Sequence, residues 1–203
     1  MSEMAISALA EIERQKYLRV YGNLKYSLHS PHWRCYDRIR NEIADFPLYA
    51  NFGCGSGLLD SKLLADFRLI RGILVDHVSV LFDDVRQNPR ITFHEASLFG
   101  DMPKFEAPFG VSTDVLEHIP PEQMDKALDN IHQRVERAFL QISMDPTSQK
   151  KAIQYGGHLH LTVEDEDWWL AKLRRHFSKI VTPQTITHPS QNKRGWLAVT
   201  VER

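Results

Sequence analysis

The sequence predicts an α/β fold, a doubly wound, mostly parallel sheet of seven strands with an antiparallel C-terminal hairpin. Three observations carry this. Short apolar runs at 48–52, 70–75, 91–94, 109–113 and 138–142 alternate with segments of helical spacing. The first run leads straight into Gly53-x-Gly55-x-Gly57, a strand-to-helix turn. Two last runs, 179–186 and 196–201, flank a polar turn at Pro189 to Arg194 and pair as a hairpin.

Taken in order, residues 2–21 place Ile6, Leu9, Ile12 and Val20 at helical spacing, with Ser2 as a cap. A second helix opens at Ser30-Pro31 and aligns Trp33, Tyr36, Ile39 and Ile43 before Phe46-Pro47 ends it. Standing before the first strand, these helices pack on the sheet edge or fold over its ligand crevice. In the second case Tyr26, His29, His32 or Trp33 would touch a substrate; the alternative is plain helix-to-sheet packing.

A helix over 58–67 follows the glycines, and Asp76 ends the second strand. A helix spans about Val80 to Val85, and Glu95-Ala96-Ser97 ends the third strand. After the fourth, Asp114-Val-Leu-Glu-His-Ile-Pro-Pro121 leads into a long helix bearing Met124, Ala127, Leu128, Ile131 and Val135. Met144 to Leu161 reads as a loop holding Gly156, Gly157, His158 and His160. Thr162 to Asp165 resembles a capping box for a helix with Trp169, Leu173 and Phe177 on one face.

The 203 residues suit one domain, with 1–46 as a helical lid or edge and 47–203 as the core. A net charge of −1 argues against a dominant polyanion-binding surface, so a nucleic-acid partner is a minor reading. Cys35 and Cys54 give neither a disulfide framework nor metal-ligand spacing. No membrane span or signal segment is legible, and the expected setting is the cytoplasm, as a monomer or homodimer.

The glycine spacing is tighter than G-x-G-x-x-G and includes no phosphate-loop lysine, so it suits an amino acid group better than a diphosphate. Together, Asn51-Phe-Gly-Cys-Gly-Ser-Gly57, Asp76 nineteen residues past Gly57, Glu95-Ala96 and Asp114-Val-Leu-Glu-His-Ile-Pro120 resemble the class I S-adenosylmethionine-dependent methyltransferases of small-molecule type. The resemblance implies S-adenosylmethionine as cofactor. It implies contacts to it from Asn51, Gly53, Cys54, Gly55, Gly57, Asp76, His77, Glu95, Ala96, Ser97, Asp114 and Val115. In this scheme loop N–H groups of Gly53 to Gly57 hold the amino acid end, and Asp76 accepts the ribose hydroxyls. Glu95 takes the adenine amino group. Glu117 and His118 hold the turn after strand four. The family usually carries an acid where this chain has Asn51, which loses the charge and weakens the cofactor site unless another acid compensates.

The implied activity is methyl transfer to an oxygen or nitrogen of a small polar molecule. His158 and His160, facing one way in an extended segment, are the expected substrate contacts or general bases, with Asp114 beside them. The His-x-His pair also suggests a metal, but no third ligand stands at convincing spacing, so none is expected. No Asn/Asp-Pro-Pro-Tyr/Phe or Pro-Cys motif for base methylation follows strand four. A macromolecular methyltransferase and a non-catalytic binding module are the alternatives.

Overall fold

The computed structural model describes residues 3–22, 34–147, 149–187 and 194–203. Seven strands form one sheet in the order β3-β2-β1-β4-β5-β7-β6. They are β1 (Leu48–Phe52), β2 (Arg71–Asp76), β3 (Ile91–Glu95), β4 (Ala107–Thr113), β5 (Val135–Ser143), β6 (Lys179–Ile186) and β7 (Trp196–Glu202). β1 to β5 pair in parallel, while β7 is antiparallel to both β5 and β6. The expected mixed sheet and terminal hairpin are therefore present. Ser2, the opening of the second helix at Ser30-Pro31, Tyr26, His29, His32, Trp33 and most of the hairpin turn lie outside the described residues.

Helices cover both faces because the central strands are apolar on both sides. In β1, Ala50 and Phe52 face one way, joining Leu140 and Ile142 of β5 under α5 (Met124–His132) and α7 (Glu166–Leu173). Tyr49 faces the other way. It joins Phe109 and Phe139 under Ile39 and Ile43 of α2 (Tyr36–Ile43) and Leu63 of α3 (Leu58–Asp66). The carbonyls that end α3 are held by Arg90, which donates to Leu64 O, Phe67 O and Arg68 O at 2.7–3.0 Å.

Several boundaries differ from those read in the sequence. The helix expected over 80–85 is a single turn, α4 (Asp83–Arg86), because Val78 and Leu81 are buried from an irregular stretch instead. Val135 starts β5; α5 stops at His132, after a 3₁₀ turn at Pro121–Gln123. The stretch after β5 is not wholly loop, since α6 spans Gln149–Tyr155. The cap of α7 is Asp165, which accepts from Trp168 N at 2.9 Å, and Thr162 instead donates its buried hydroxyl to Ile119 O. Trp169, Leu173 and Phe177 do share the core.

The N-terminal helices divide the two roles open to them. α2 packs on a face of the sheet, where Arg38 reaches Ala198 O, Thr182 and Thr200. α1 (Glu3–Tyr21) instead lies over the carboxyl ends of the strands. Its inner side carries Glu13, Lys16, Tyr17 and Val20, whereas Ile12, expected on that side, is 64% exposed.

Candidate active site at the carboxyl edge of the sheet

Open α/β sheets bind ligands beyond the carboxyl ends of their strands. Here β1, β2, β3 and β4 end together at the glycine turn, Asp76, Ala96-Ser97 and Asp114. A cavity of about 50 Å³ sits there, lined on the sheet side by Gly53, Asp76, His77, Ala96, Ser97 and Val115. Ala10, Glu13 and Tyr17 of α1 close it above, and His118 and Ile119 bound one end.

The turn curls because Gly53, Gly55 and Gly57 all take positive φ, at 79°, 56° and 78°. Its N–H groups are engaged with the chain itself. Gly53 N and Cys54 N donate to Val75 O at 2.7 and 3.2 Å, Gly55 N to Asp76 Oδ2 at 2.8 Å, and Gly57 N to Cys54 O at 3.0 Å. In this conformation the turn folds onto the end of β2, where the resemblance implies the cofactor's amino acid end. A Cβ on Gly53 would lie 2.4 Å from Val115 Cγ2, and one on Gly55 2.5 Å from the Tyr21 hydroxyl. Glycine thus lets both the strand-four turn and α1 approach closely.

Asp76 is buried at the cavity wall. Its Oδ1 accepts from Val78 N at 3.0 Å, and His77 Nδ1 lies 3.3 Å away. Each carboxylate oxygen keeps a further lone pair for a hydroxyl. His77 Nε2 is buried with no hydrogen-bond partner among the described residues, a polar atom on the same wall. These groups suit a polar, hydroxyl-bearing ligand such as the cofactor's ribose. A small-molecule site measures roughly 300–1,000 Å³, and α1 covers part of the space available here.

The remaining predicted residues divide. Asn51, Cys54, Gly55, Gly57, Glu95 and Asp114 lie outside the cavity lining. Asn51 turns away, towards Asp60 of α3. Glu95 is on the surface and pairs with Arg14 of α1 at 2.9 Å, because its strand position points it outward under that helix. Asp114 takes φ 53° and accepts from Gln141 Nε2 at 2.8 Å, so its carboxylate braces the turn after β4.

His158 and His160 do not act as a matched pair. His158 is exposed, and its contribution is its carbonyl, which accepts from Lys16 Nζ of α1 at 2.9 Å. His160 turns inward, with its ring 4.9 Å from that of His118 at 80°. The segment bends between them because Thr147 Oγ1 accepts from both Leu159 N and His160 N. His118 packs on Tyr17, and its Nδ1 bonds to Leu159 O at 2.8 Å. Burial pushes its pKa down to about 3, so this imidazole is neutral at pH 7.

Residues around the site that the sequence does not single out include Lys16, Tyr17 and Asp145. Lys16 and Tyr17 lie on a helix whose polar residues read as its outer face. Asp145 was passed over just after β5; its carboxylate holds Arg194 N and Gly195 N, and its carbonyl receives His160 Nδ1.

No protein-family model matches the chain, and no curated protein does. Solved structures do match. The 1,6-didemethyltoxoflavin-N1-methyltransferase of Burkholderia thailandensis, solved with 1,6-didemethyltoxoflavin and S-adenosylhomocysteine, aligns at TM-score 0.72 and 17% identity, over 100% of this chain and 91% of that one. The S-adenosylmethionine-dependent methyltransferase SibL, in its apo form, aligns at TM-score 0.66 and 14% identity, over 89% of this chain. The small RNA methyltransferase HEN1 aligns at TM-score 0.63 and 13% identity, over 84% of this chain. This chain spans 57% of SibL and 25% of HEN1. Its fold is that of the class I S-adenosylmethionine-dependent methyltransferases.

Proposed function

We propose that the chain is an S-adenosylmethionine-dependent methyltransferase acting on an oxygen or nitrogen of a small polar acceptor. The observation that carries this reading is Asp76, a buried carboxylate at the end of β2, facing one cavity with Gly53, Ala96 and Ser97. When bound, the cofactor supplies an electrophilic methyl group on a sulfonium.

The chain's own contribution is binding, orientation and exclusion of water. Asp76 and His77 offer polar partners on one wall, and Val115 and Ile119 offer apolar contact on another. α1 closes the site, with Lys16 tying it to the segment after β5. His160, whose ring meets that of the cavity-lining His118, is the proton acceptor for a hydroxyl substrate, its Nδ1 being bonded to Asp145 O and its Nε2 carrying the lone pair. Enclosure under α1 favours a small acceptor over a macromolecule.

The test is S-adenosylhomocysteine release, measured by mass spectrometry, with S-adenosylmethionine and three acceptor sets: hydroxylated or amine-bearing small molecules, short RNAs, and unfolded protein. Release with the first set alone is expected. Release only with RNA or protein would overturn the acceptor class, and no binding of S-adenosylmethionine would overturn the enzyme.

A further inference from the structure

The cluster at the His118 end of the cavity includes a carboxylate that the reading above does not use. Glu117 is fully buried on the turn after β4. Its Oε1 accepts from Ser143 N at 3.1 Å, whereas the equally buried Oε2 has no hydrogen-bond partner among the described residues. Among the described residues no lysine or arginine pairs with it. An ionised carboxyl group in that position needs a positive partner to offset its lost hydration.

Two imidazoles stand beside it. Glu117, His118 and His160 each offer one ligand atom, and these atoms lie within 4.8 Å of one another. Both Nδ1 atoms bond to backbone carbonyls, of Leu159 and Asp145. A carbonyl only accepts, so each Nδ1 carries the hydrogen, and Nε2 is the lone-pair nitrogen of the neutral ring. Anchoring one ring nitrogen on a carbonyl is how proteins aim the other at a metal.

We propose that Glu117, His118 and His160 form a binding site for a divalent first-row cation of the Mn²⁺-to-Zn²⁺ range. Two nitrogens and one carboxylate suit those ions better than Mg²⁺ or Ca²⁺, which favour all-oxygen sets. Ligand bonds of about 2.0–2.2 Å at tetrahedral angles place donors roughly 3.4 Å apart, so an inward closure of about an ångström completes the site. Three protein ligands leave coordination positions open, and His118 gives the site access to the cavity. Cation binding stands apart from methyl transfer. A role in holding an oxygen-bearing acceptor, with His160 then a ligand and not the base, rests on the methyltransferase reading.

The test uses the tag-free, chelator-stripped full chain, titrated with Co²⁺ and with Zn²⁺ by calorimetry, with the visible ligand-field bands of Co²⁺ as a second readout. One equivalent is expected, at least tenfold weaker in His160→Asn and in Glu117→Gln, with the bands lost. Absence of saturable binding by the wild type, or unchanged binding in His160→Asn, would overturn the site. Glu117 also holds Ser143 N, so if Glu117→Gln fails to fold, His160→Asn and His118→Gln decide. S-adenosylhomocysteine binding by the metal-free wild type reports on the methyltransferase reading separately.

Discussion

Asn51 Nδ2 donates to both carboxylate oxygens of Asp60, at 3.0 and 2.9 Å, and the Tyr49 hydroxyl donates to Oδ1 at 2.8 Å. Strand alternation puts positions 49 and 51 on one face of β1, beneath the first turn of α3. The acid that the resemblance implies on the strand has a counterpart here on the helix, Asp60. With an acid at both places, two carboxylates would be buried against each other. Asn51 is therefore the donor that makes Asp60 tolerable, and the pair fixes the glycine turn between β1 and α3 from behind. Its carboxylate does not line the cavity, so it compensates for the shape of the turn and not for charge at the ligand.

This pair has a pH signature. Burial pushes the Asp60 pKa up to about 6, against hydrogen bonds from Asn51 and Tyr49 that lower it. A raised carboxyl pKa means that the folded state holds its proton more tightly than the unfolded chain. Stability from this group is thus highest below about pH 4, falls as pH rises to about 6, and is flat above that. Asp60→Asn removes the fall. Between pH 4 and pH 7 the variant should gain about 2 kcal/mol relative to wild type in urea unfolding. A difference that does not change with pH would contradict the assignment.

The glycines of the turn should differ in what they disturb. A Cβ at Gly57, where φ is 78°, would meet Val85 Cγ1 at 2.9 Å and Leu81 Cδ2 at 3.0 Å, both buried side chains. Gly57→Ala should cost about 2–3 kcal/mol in global stability, combining left-handed strain with overpacking. At Gly55 the clash is with Tyr21 of α1, so Gly55→Ala should loosen α1 more than the sheet. Denaturant midpoints, read beside hydrogen exchange of residues 3–22, separate the two.

α1 is held by contacts that can be cut. Lys16 pairs with Glu13 and donates to His158 O, both ends being buried. Glu13→Gln with Lys16→Met removes the pair without leaving one charge alone. Amide exchange across residues 3–22 should quicken at least tenfold, while the sheet keeps its protection, because Tyr17 and Val20 pack in their own small cluster. Unchanged exchange would show that the latch does not hold the helix.

Both thiols should be inert in the native protein. Burial raises the Cys35 pKa to about 11 and that of Cys54 well above the ordinary range, with Asp76 and Asp60 adding to the latter. Thiolate is the reactive form, so a disulfide reagent at pH 8 should titrate neither until the chain unfolds, then two. Rapid native labelling of Cys54 would place it at an open surface.

The strands were legible because their apolar runs are dictated by burial on both faces, and the hairpin because its strands flank a polar turn. α6 was not: Gln149-Lys-Lys-Ala-Ile-Gln-Tyr155 has no apolar stripe and folds as one short helix against α1. Asp76, Ala96 and Ser97 were legible as strand ends, since topology alone brings strand ends together. Glu95 was not, because its outward direction depends on register and on Arg14 arriving from α1. The His118–His160 contact joins residues 42 apart and depends on Thr147 bending the segment between. That is a hydrogen bond with no trace in residue spacing.

Anchoring of the cofactor by Asp76, as proposed, is tested most directly by calorimetric titration with S-adenosylmethionine and S-adenosylhomocysteine. Asp76 also holds Gly55 N and Val78 N, so Asp76→Ala is compared only after circular dichroism shows it folded. The account predicts saturable binding of both ligands by wild type, weakened at least tenfold in the variant, which is about 1.4 kcal/mol or more. Wild type that binds neither ligand, or a folded variant that binds as well as wild type, would contradict it.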